Sequence, residues 1–383
     1  VEVAVLTGFD VLLRKGLYRD ARIGLITNHT GLDRSLRQNY EIMLERGYRM
    51  TALFSPEHGI RGEVAEGATV QTYTDERTGI PVFSLYGKHR TPTSEMLSGI
   101  DVLIFDIQDI GARYYTYPST MLNSMKTAAE ERIPFVVLDR PNPIGGTGVE
   151  GNVPLPDNLS FVCYAPVPIR HGLTLGEIAL LEARRLNLPA PVVIRAEGWE
   201  RDRYYDEADL GPWVPLSPAA SNLDMALLYP GTCLLEGTNL SEGRGTAAPF
   251  QMVGAPYVDP HALARELGKV NLRGVLIRPL YFTPWYWKYV GQVCGGVQFH
   301  IVDRRALLPV ELGVRLLFAA RDLFPEFSLR NHEEGDKDYL DLLAGGPELR
   351  GALLSGESPD RLLSKWREEA SMFERTREAH LLY

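Results

Sequence analysis

In Met50-Thr51-Ala52-Leu53-Phe54-Ser55-Pro56-Glu57-His58-Gly59 an apolar run breaks off at a proline and is followed at once by a carboxylate, an imidazole and a glycine. The run has the length of a short buried strand, and Pro56 and Gly59 bracket a tight turn behind it. The same alternation recurs along the chain. Residues 22–27 lead into Asn28-His29-Thr30-Gly31, and residues 81–85 lead into Tyr86-Gly87-Lys88-His89-Arg90. Residues 101–105 lead into Asp106-Ile107-Gln108-Asp109, and residues 134–138 into Asp139-Arg140-Pro141-Asn142-Pro143. Helical periodicity lies between these runs. Leu36, Tyr40, Met43 and Leu44 share one face of a helix expected over 35–46, with Gly47 as its stop. Ser119 is expected to cap a helix carrying Leu122, Met125 and Ala129 on one face. Thr174-Leu175-Gly176-Glu177 is a capping-box pattern, and residues 191–195 form a last strand. Repeated βα units predict a Rossmann-like parallel sheet with helices on both faces. Such a sheet gathers the carboxyl ends of its strands on one edge, where ligands bind.

A chain of 383 residues is long for one core, and its character changes over residues 204–222, where Pro212, Trp213, Pro215 and Pro218 fall. Residues 1–215 are therefore read as the Rossmann-like catalytic domain and residues 216–383 as a smaller α+β domain closing the cleft. In the second part a Gly-rich stretch (230–254) precedes strands near 274–281 and 296–302. Asp259-Pro260 and Ser358-Pro359 read as N-cap and N1 pairs, and residues 364–380 as a charged terminal helix. A hydrophobic share of 45% and a charged share of 23% are ordinary for a globular chain. The formal charge of −9 argues against nucleic acid as a partner. No apolar run reaches the roughly 18–20 residues of a membrane span, so no membrane insertion is expected. No signal-peptide pattern opens the chain, and Val1 in place of Met is read as a mark of processing or trimming. The expected location is extracytoplasmic if a leader has been removed and cytoplasmic otherwise; nothing in the sequence sets an oligomeric state. Cys163, Cys233 and Cys294 lack CxxC spacing and read as buried free thiols.

Glu57 is the foremost candidate for chemistry, because a carboxyl in a tight turn beside apolar residues can act as a general acid. His58, Arg61 and Glu63 share its loop. Asp106, Gln108 and Arg113 are followed by Tyr114, Tyr115 and Tyr117, a mixture of polar groups and rings suited to a sugar. Asn28, Asn142 and Glu150 lie on other strand-end loops. Arg170-His171 precedes the capped helix at Thr174, so a helix N-terminus and an arginine together suit an anion. Glu236-Gly237-Thr238-Asn239 and Ser241-Glu242-Gly243-Arg244-Gly245 permit close approach of backbone to ligand. Walker A, GxGxxG, HExxH and GxSxG patterns are all absent. No metal and no cofactor are therefore expected.

Taken together, Ser55-Pro56-Glu57-His58-Gly59-Ile60-Arg61-Gly62, the run from Asp106 through Gln108 and Arg113 to Tyr117, Asp139-Arg140-Pro141-Asn142-Pro143, Arg170-His171-Gly172 and Glu236-Gly237-Thr238-Asn239 resemble the bacterial NamZ-type exo-β-N-acetylmuramidases. The resemblance covers nearly the whole chain. It implies a Rossmann-like N-terminal domain, a smaller C-terminal domain and an active-site cleft between them. It implies removal of non-reducing N-acetylmuramic acid from peptidoglycan-derived saccharides. It also implies that Glu57 is the catalytic acid and Glu150 a second acidic participant.

In that reading Glu57 protonates the departing oxygen. A second carboxylate (Glu150, or Glu63 or Asp106) activates water or supports the oxocarbenium-like transition state, or the substrate's 2-acetamido group acts as nucleophile. Arg61, Arg113, Arg170 and Arg244 are the candidates for holding the lactyl carboxylate of N-acetylmuramic acid. Two other readings stand beside it: a metal-dependent hydrolase using the strand-end histidines, and a non-catalytic module that binds cell-wall fragments.

Overall fold

The computed structural model describes residues 4–65, 67–68, 71–330 and 338–383. Its first layer is a seven-stranded sheet. The strands are β1 (Arg22–Thr27), β2 (Arg49–Ser55), β3 (Tyr73–Thr74), β4 (Pro81–Ser84), β5 (Val102–Asp106), β6 (Phe135–Leu138) and β7 (Val192–Ile194), in the order β3-β4-β2-β1-β5-β6-β7. All neighbours run parallel except β3, an antiparallel edge strand too short to leave a periodic signal in the sequence.

The central strands are buried on both faces, which is why they read as unbroken apolar runs. Their side chains alternate between two cores. Ile23, Leu25, Leu53, Ile104 and Val136 face one core, with Phe9 and Leu12 of α1 (Gly8–Lys15) and Tyr40 and Met43 of α2 (Asn39–Glu45). Ile26, Phe54, Leu103, Phe105 and Val137 face the other, with Met121 and Met125 of α3 (Thr116–Glu130) and Ile178 of α4 (Leu175–Arg185). The second core runs on into the C-terminal part through Leu227, Phe250, Val297 and Leu316. That continuity seats the second part against the α3 face of the sheet.

The smaller second domain is built on an antiparallel sheet, β8 (Met252–Ala255), β10 (Cys294–Ile301) and β9 (Val275–Phe282), with β10 in the middle. Around it lie α5 (Leu223–Thr232), α6 (Pro260–Gly268), α7 (Pro309–Leu323), α8 (Tyr339–Ala344), α9 (Glu348–Ser355) and α10 (Pro359–Arg377). Asp259 and Ser358 cap α6 and α10 ahead of their prolines, as their sequences predict. The chain end then returns to the first sheet: Leu382 N donates to Glu177, and the Tyr383 hydroxyl donates to Asp139 at 2.8 Å.

Two helix starts differ from the sequence reading. Residues 33–38 form a turn around Asp33, whose Oδ1 accepts from the Ser35 and Arg37 amides, so α2 begins only at Asn39. Ser119 does not cap α3, which begins three residues earlier; its hydroxyl donates to Phe161 O instead. The capping box at Thr174 forms with both of its bonds. All three cysteines are free and buried.

Candidate active site

Beyond the ends of β2 and β4 lies a cavity of about 490 Å³ walled by both parts of the chain. Glu57, His58, Tyr86 and Arg90 reach it from strand ends, and Tyr114, Tyr115 and Thr116 from the start of α3. Tyr229, Glu236, Arg244, Phe250, Trp287 and Tyr339 close it from the second domain. Its size and aromatic lining are those of a small-molecule pocket.

Glu57 is 8% exposed. Its Oε2 accepts from the Thr116 hydroxyl at 2.6 Å and its Oε1 from the Gly67 amide at 3.2 Å. The Tyr86 hydroxyl also bonds to this carboxylate; burial first, and then Glu57, push the Tyr86 phenol up. The turn that presents Glu57 is unusual. His58 sits at φ 72° and Gly59 at φ 81°, and the His58 ring is tied to Val64 O at 2.8 Å. Behind the loop, Gly62 (φ +76°) lies so close to His29 that a β-carbon there would stand 2.3 Å from the imidazole. His29 in turn bonds to Pro215 O at 2.7 Å, anchoring the segment that brings Ser217 to the cavity.

The aromatic wall is continuous. Tyr229 meets Tyr115 edge-on at 5.9 Å and Phe250 at 4.9 Å. Arg244 lies 5.1 Å from the Phe250 ring centre and 6.0 Å from that of Trp287. Arg244 is shared by two carboxylates, Glu236 at 2.8 Å and Glu242 at 3.3 Å, and Lys288 pairs with Glu242 at 2.9 Å. Burial raises the Glu236 carboxyl and Arg244 opposes that shift. The Tyr339 hydroxyl reaches the other Glu236 oxygen at 3.4 Å.

The cavity thus brings together Glu57, His58, Tyr114, Tyr115, Glu236 and Arg244 from the residues picked out in the sequence. The others lie outside its lining, and all but Glu63 have a structural occupation. Asp106 is fully buried and holds Arg140 at 2.6 Å and Asn39 at 2.7 Å, so the point between β1 and β5 is filled by the protein's own ion pair. Gln108 donates to Asp109 O and Pro141 O, Asn28 accepts from Thr30, and Asn142 donates to Leu173 O. Arg113 is buried and donates to backbone oxygens of Asn152, Val167, Leu343 and Ala344. Asn239 bonds Glu326 O and the Tyr257 hydroxyl. Arg61 is paired with Asp75 at 3.0 Å, and Glu63 is exposed.

Glu150 lines a different hollow with Val310, Trp366 and Arg367, and its carboxylate is engaged by Arg170 and the Val310 amide. Burial pushes its carboxyl up to about 7 against the pull of Arg170. The helix N-terminus behind Arg170-His171 is already occupied: Asp139 accepts from the Gly176 amide and the Thr174 hydroxyl. His171 is buried, its Nδ1 accepts from the Leu173 amide, and burial depresses its imidazole to about 3. Among the described residues no three His, Cys, Asp or Glu side chains cluster as a metal site.

Sequence reasoning left out Thr116, Arg90, Tyr229, Phe250, Trp287 and Tyr339. Arg90 stands in a strand-end segment quoted above, so a signal existed for it. Tyr229 and Phe250 carry no local signal of a site, and only the packing of the second domain places them in the cavity that Glu57 lines.

The N-terminal and C-terminal profiles of the exo-β-N-acetylmuramidase NamZ family match residues 23–224 and 227–383. The peptidoglycan β-N-acetylmuramidase NamZ of Bacillus subtilis (strain 168) is 41% identical over 383 residues, covering 99% of this chain and 91% of the relative. Crystal structures of two DUF1343 family proteins from Bacteroides fragilis superpose with TM-scores of 0.91 and 0.77 at 37% and 28% identity. Each covers 100% of this chain, and the chain covers 100% and 99% of them.

Proposed function

The chain belongs to the NamZ family of exo-β-N-acetylmuramidases, and we propose that it works as one, removing N-acetylmuramic acid from the non-reducing ends of peptidoglycan fragments. The observation that carries this reading is the position of Glu57. It is an acid side chain held by Thr116 and Tyr86 at the rim of a sheet, facing an aromatic cavity roofed by a second domain. A pocket of about 490 Å³ walled by both parts of the chain suits a sugar presented at a chain end.

Glu57 delivers a proton to the glycosidic oxygen as the bond to the sugar breaks. Thr116 and Tyr86 fix the carboxyl and turn it toward the leaving group. The second carboxylate in this reading is Glu236, which lines the same cavity, in place of Glu150, which lines another. Arg244 and Tyr339 hold it, so that it faces the positive charge that grows on the sugar ring. The rings of Tyr115, Tyr229 and Trp287 offer flat apolar surfaces to the sugar's C–H face.

Glu57→Gln keeps the size of the side chain and removes the proton. Turnover of a synthetic aryl β-glycoside of N-acetylmuramic acid should fall by about 100-fold or more, with fold and binding of N-acetylmuramic acid retained. A variant that keeps wild-type turnover removes Glu57 from its role.

A further inference from the structure

N-acetylmuramic acid differs from N-acetylglucosamine by a lactyl ether that ends in a carboxylate, so a muramic-acid-specific pocket needs a cation that is not already neutralised. Two arginines line the cavity, Arg90 and Arg244. Arg244 is committed to Glu236 and Glu242. Arg61 and Arg170 are paired with Asp75 and Glu150, and Arg113 is enclosed by carbonyl oxygens. Arg90 is different: it is exposed, and among the described residues no carboxylate pairs with it.

Its guanidinium is nevertheless held in place. It lies 4.6 Å from the centre of the Phe161 ring and 6.0 Å from that of Tyr86, both of which line the cavity. A guanidinium set over an aromatic ring keeps N–H groups that can bind a carboxylate with two parallel bonds. The loop beneath is tied to α3, since Asn123 Nδ2 donates to Arg90 O at 3.3 Å. Tyr86 connects this cation to the chemistry, because its ring flanks Arg90 while its hydroxyl bonds to Glu57. A sugar with its glycosidic oxygen at Glu57 therefore has, one tyrosine side chain away, a guanidinium that no carboxylate among the described residues pairs with.

We propose that Arg90, set over the Phe161 ring and beside Tyr86, is the specificity residue that binds the lactyl carboxylate of N-acetylmuramic acid. The inference rests on the reading of the cavity as a muramidase site and adds to it the group that tells muramic acid from glucosamine.

The test uses Arg90→Leu and Arg90→Lys with Lys88→Ala, a change on the same loop outside the cavity lining. Three aryl β-glycosides serve as substrates: N-acetylmuramic acid, its lactyl methyl ester, and N-acetylglucosamine. None carries a stem peptide, so a peptide carboxylate is not the group being read. Arg90→Leu should lower kcat/KM on the free acid by roughly 10- to 100-fold, the worth of a lost charge-assisted pair. The ester and the glucosamine substrate should change less than about 2-fold. Arg90→Lys should recover part of the loss, and Lys88→Ala should behave as wild type. Equal losses on all three substrates, or none on the acid, overturn the proposal while leaving the muramidase reading in place. Calorimetric binding of free N-acetylmuramic acid supplies the other arm. If the wild-type protein binds it but hydrolyses no muramic acid glycoside, the muramidase reading falls. In that case weaker binding by Arg90→Leu still supports Arg90, and unchanged binding overturns it.

Discussion

Replacing Arg113 with methionine separates a structural arginine from a ligand-binding one. The guanidinium is fully buried and makes five hydrogen bonds: to Asn152 O at 2.6 Å, Val167 O at 2.8 Å, Asn152 Oδ1 at 3.1 Å, Ala344 O at 3.0 Å and Leu343 O at 3.3 Å. These acceptors belong to the loop after Glu150 and to the end of α8, so one side chain joins the first part of the chain to the second. Methionine fills the volume of the stem and supplies no donor. Hydrogen bonds to a charged group contribute about 1.5–3 kcal/mol each, but five such terms are not additive. Ala344 O also keeps its bond from Asn152 Nδ2 at 2.7 Å. A net loss of about 5 kcal/mol follows, the upper end of what breaking a buried charged contact costs. An unfolding entropy of roughly 2.1 cal/mol/K per residue, taken over 383 residues, amounts to about 0.8 kcal/mol/K. The melting temperature should therefore fall by about 6 °C in differential scanning calorimetry. Leu343 lines the cavity, so substrate binding should weaken as well. A melting temperature within about 1 °C of wild type, with KM alone raised, would refute the reasoning and restore Arg113 to the substrate-binding set.

Gly62→Ala should place a methyl group against the His29 ring at a residue with φ +76°. The Glu57 loop must shift to relieve it, and kcat should drop at least about 10-fold, because small misplacements of a catalytic group are costly; stability should fall by only about 1–2 kcal/mol in urea titrations. Asp109 is buried, and burial pushes its carboxyl up to about 7 from an ordinary 3.8. The folded protein then holds a proton that the unfolded chain releases, so this contribution is fully present below about pH 4 and is lost as pH rises through about 7. Asp109→Asn, neutral throughout, should therefore gain on wild type between pH 4 and 7, by up to ~4 kcal/mol at neutral pH. Urea midpoints of the two proteins that keep a constant gap across that range would refute the assignment.

Glu57 was legible as an acid because Pro56 and Gly59 force a turn directly behind an apolar run, a purely local signal. Asp106 also stands at the end of an apolar run, without such a bracket, and is spent on Arg140. Both residues stand at the carboxyl end of a buried strand, and an apolar run ahead of a carboxylate does not by itself tell a side chain that faces a cavity from one that faces a buried arginine. Glu150 and Glu236 make the same point from the other side. Each is a glutamate beside a glycine, yet Glu150 is engaged by Arg170 while Glu236 reaches the cavity of Glu57.

From the order of residues alone one could tell that apolar runs alternate with amphipathic helices, that the first half is therefore a parallel α/β sheet, and that its polar groups collect on one edge. Those properties depend on periodicity and on turn chemistry, which act over a few residues. Only the tertiary structure decided which of those polar groups face each other across open space. That choice is made where the core behind α3 continues into the second domain and carries Tyr229, Glu236, Arg244 and Trp287 to within reach of Glu57. Contacts between residues more than a hundred positions apart are set by how two packed surfaces meet, and no local pattern encodes them.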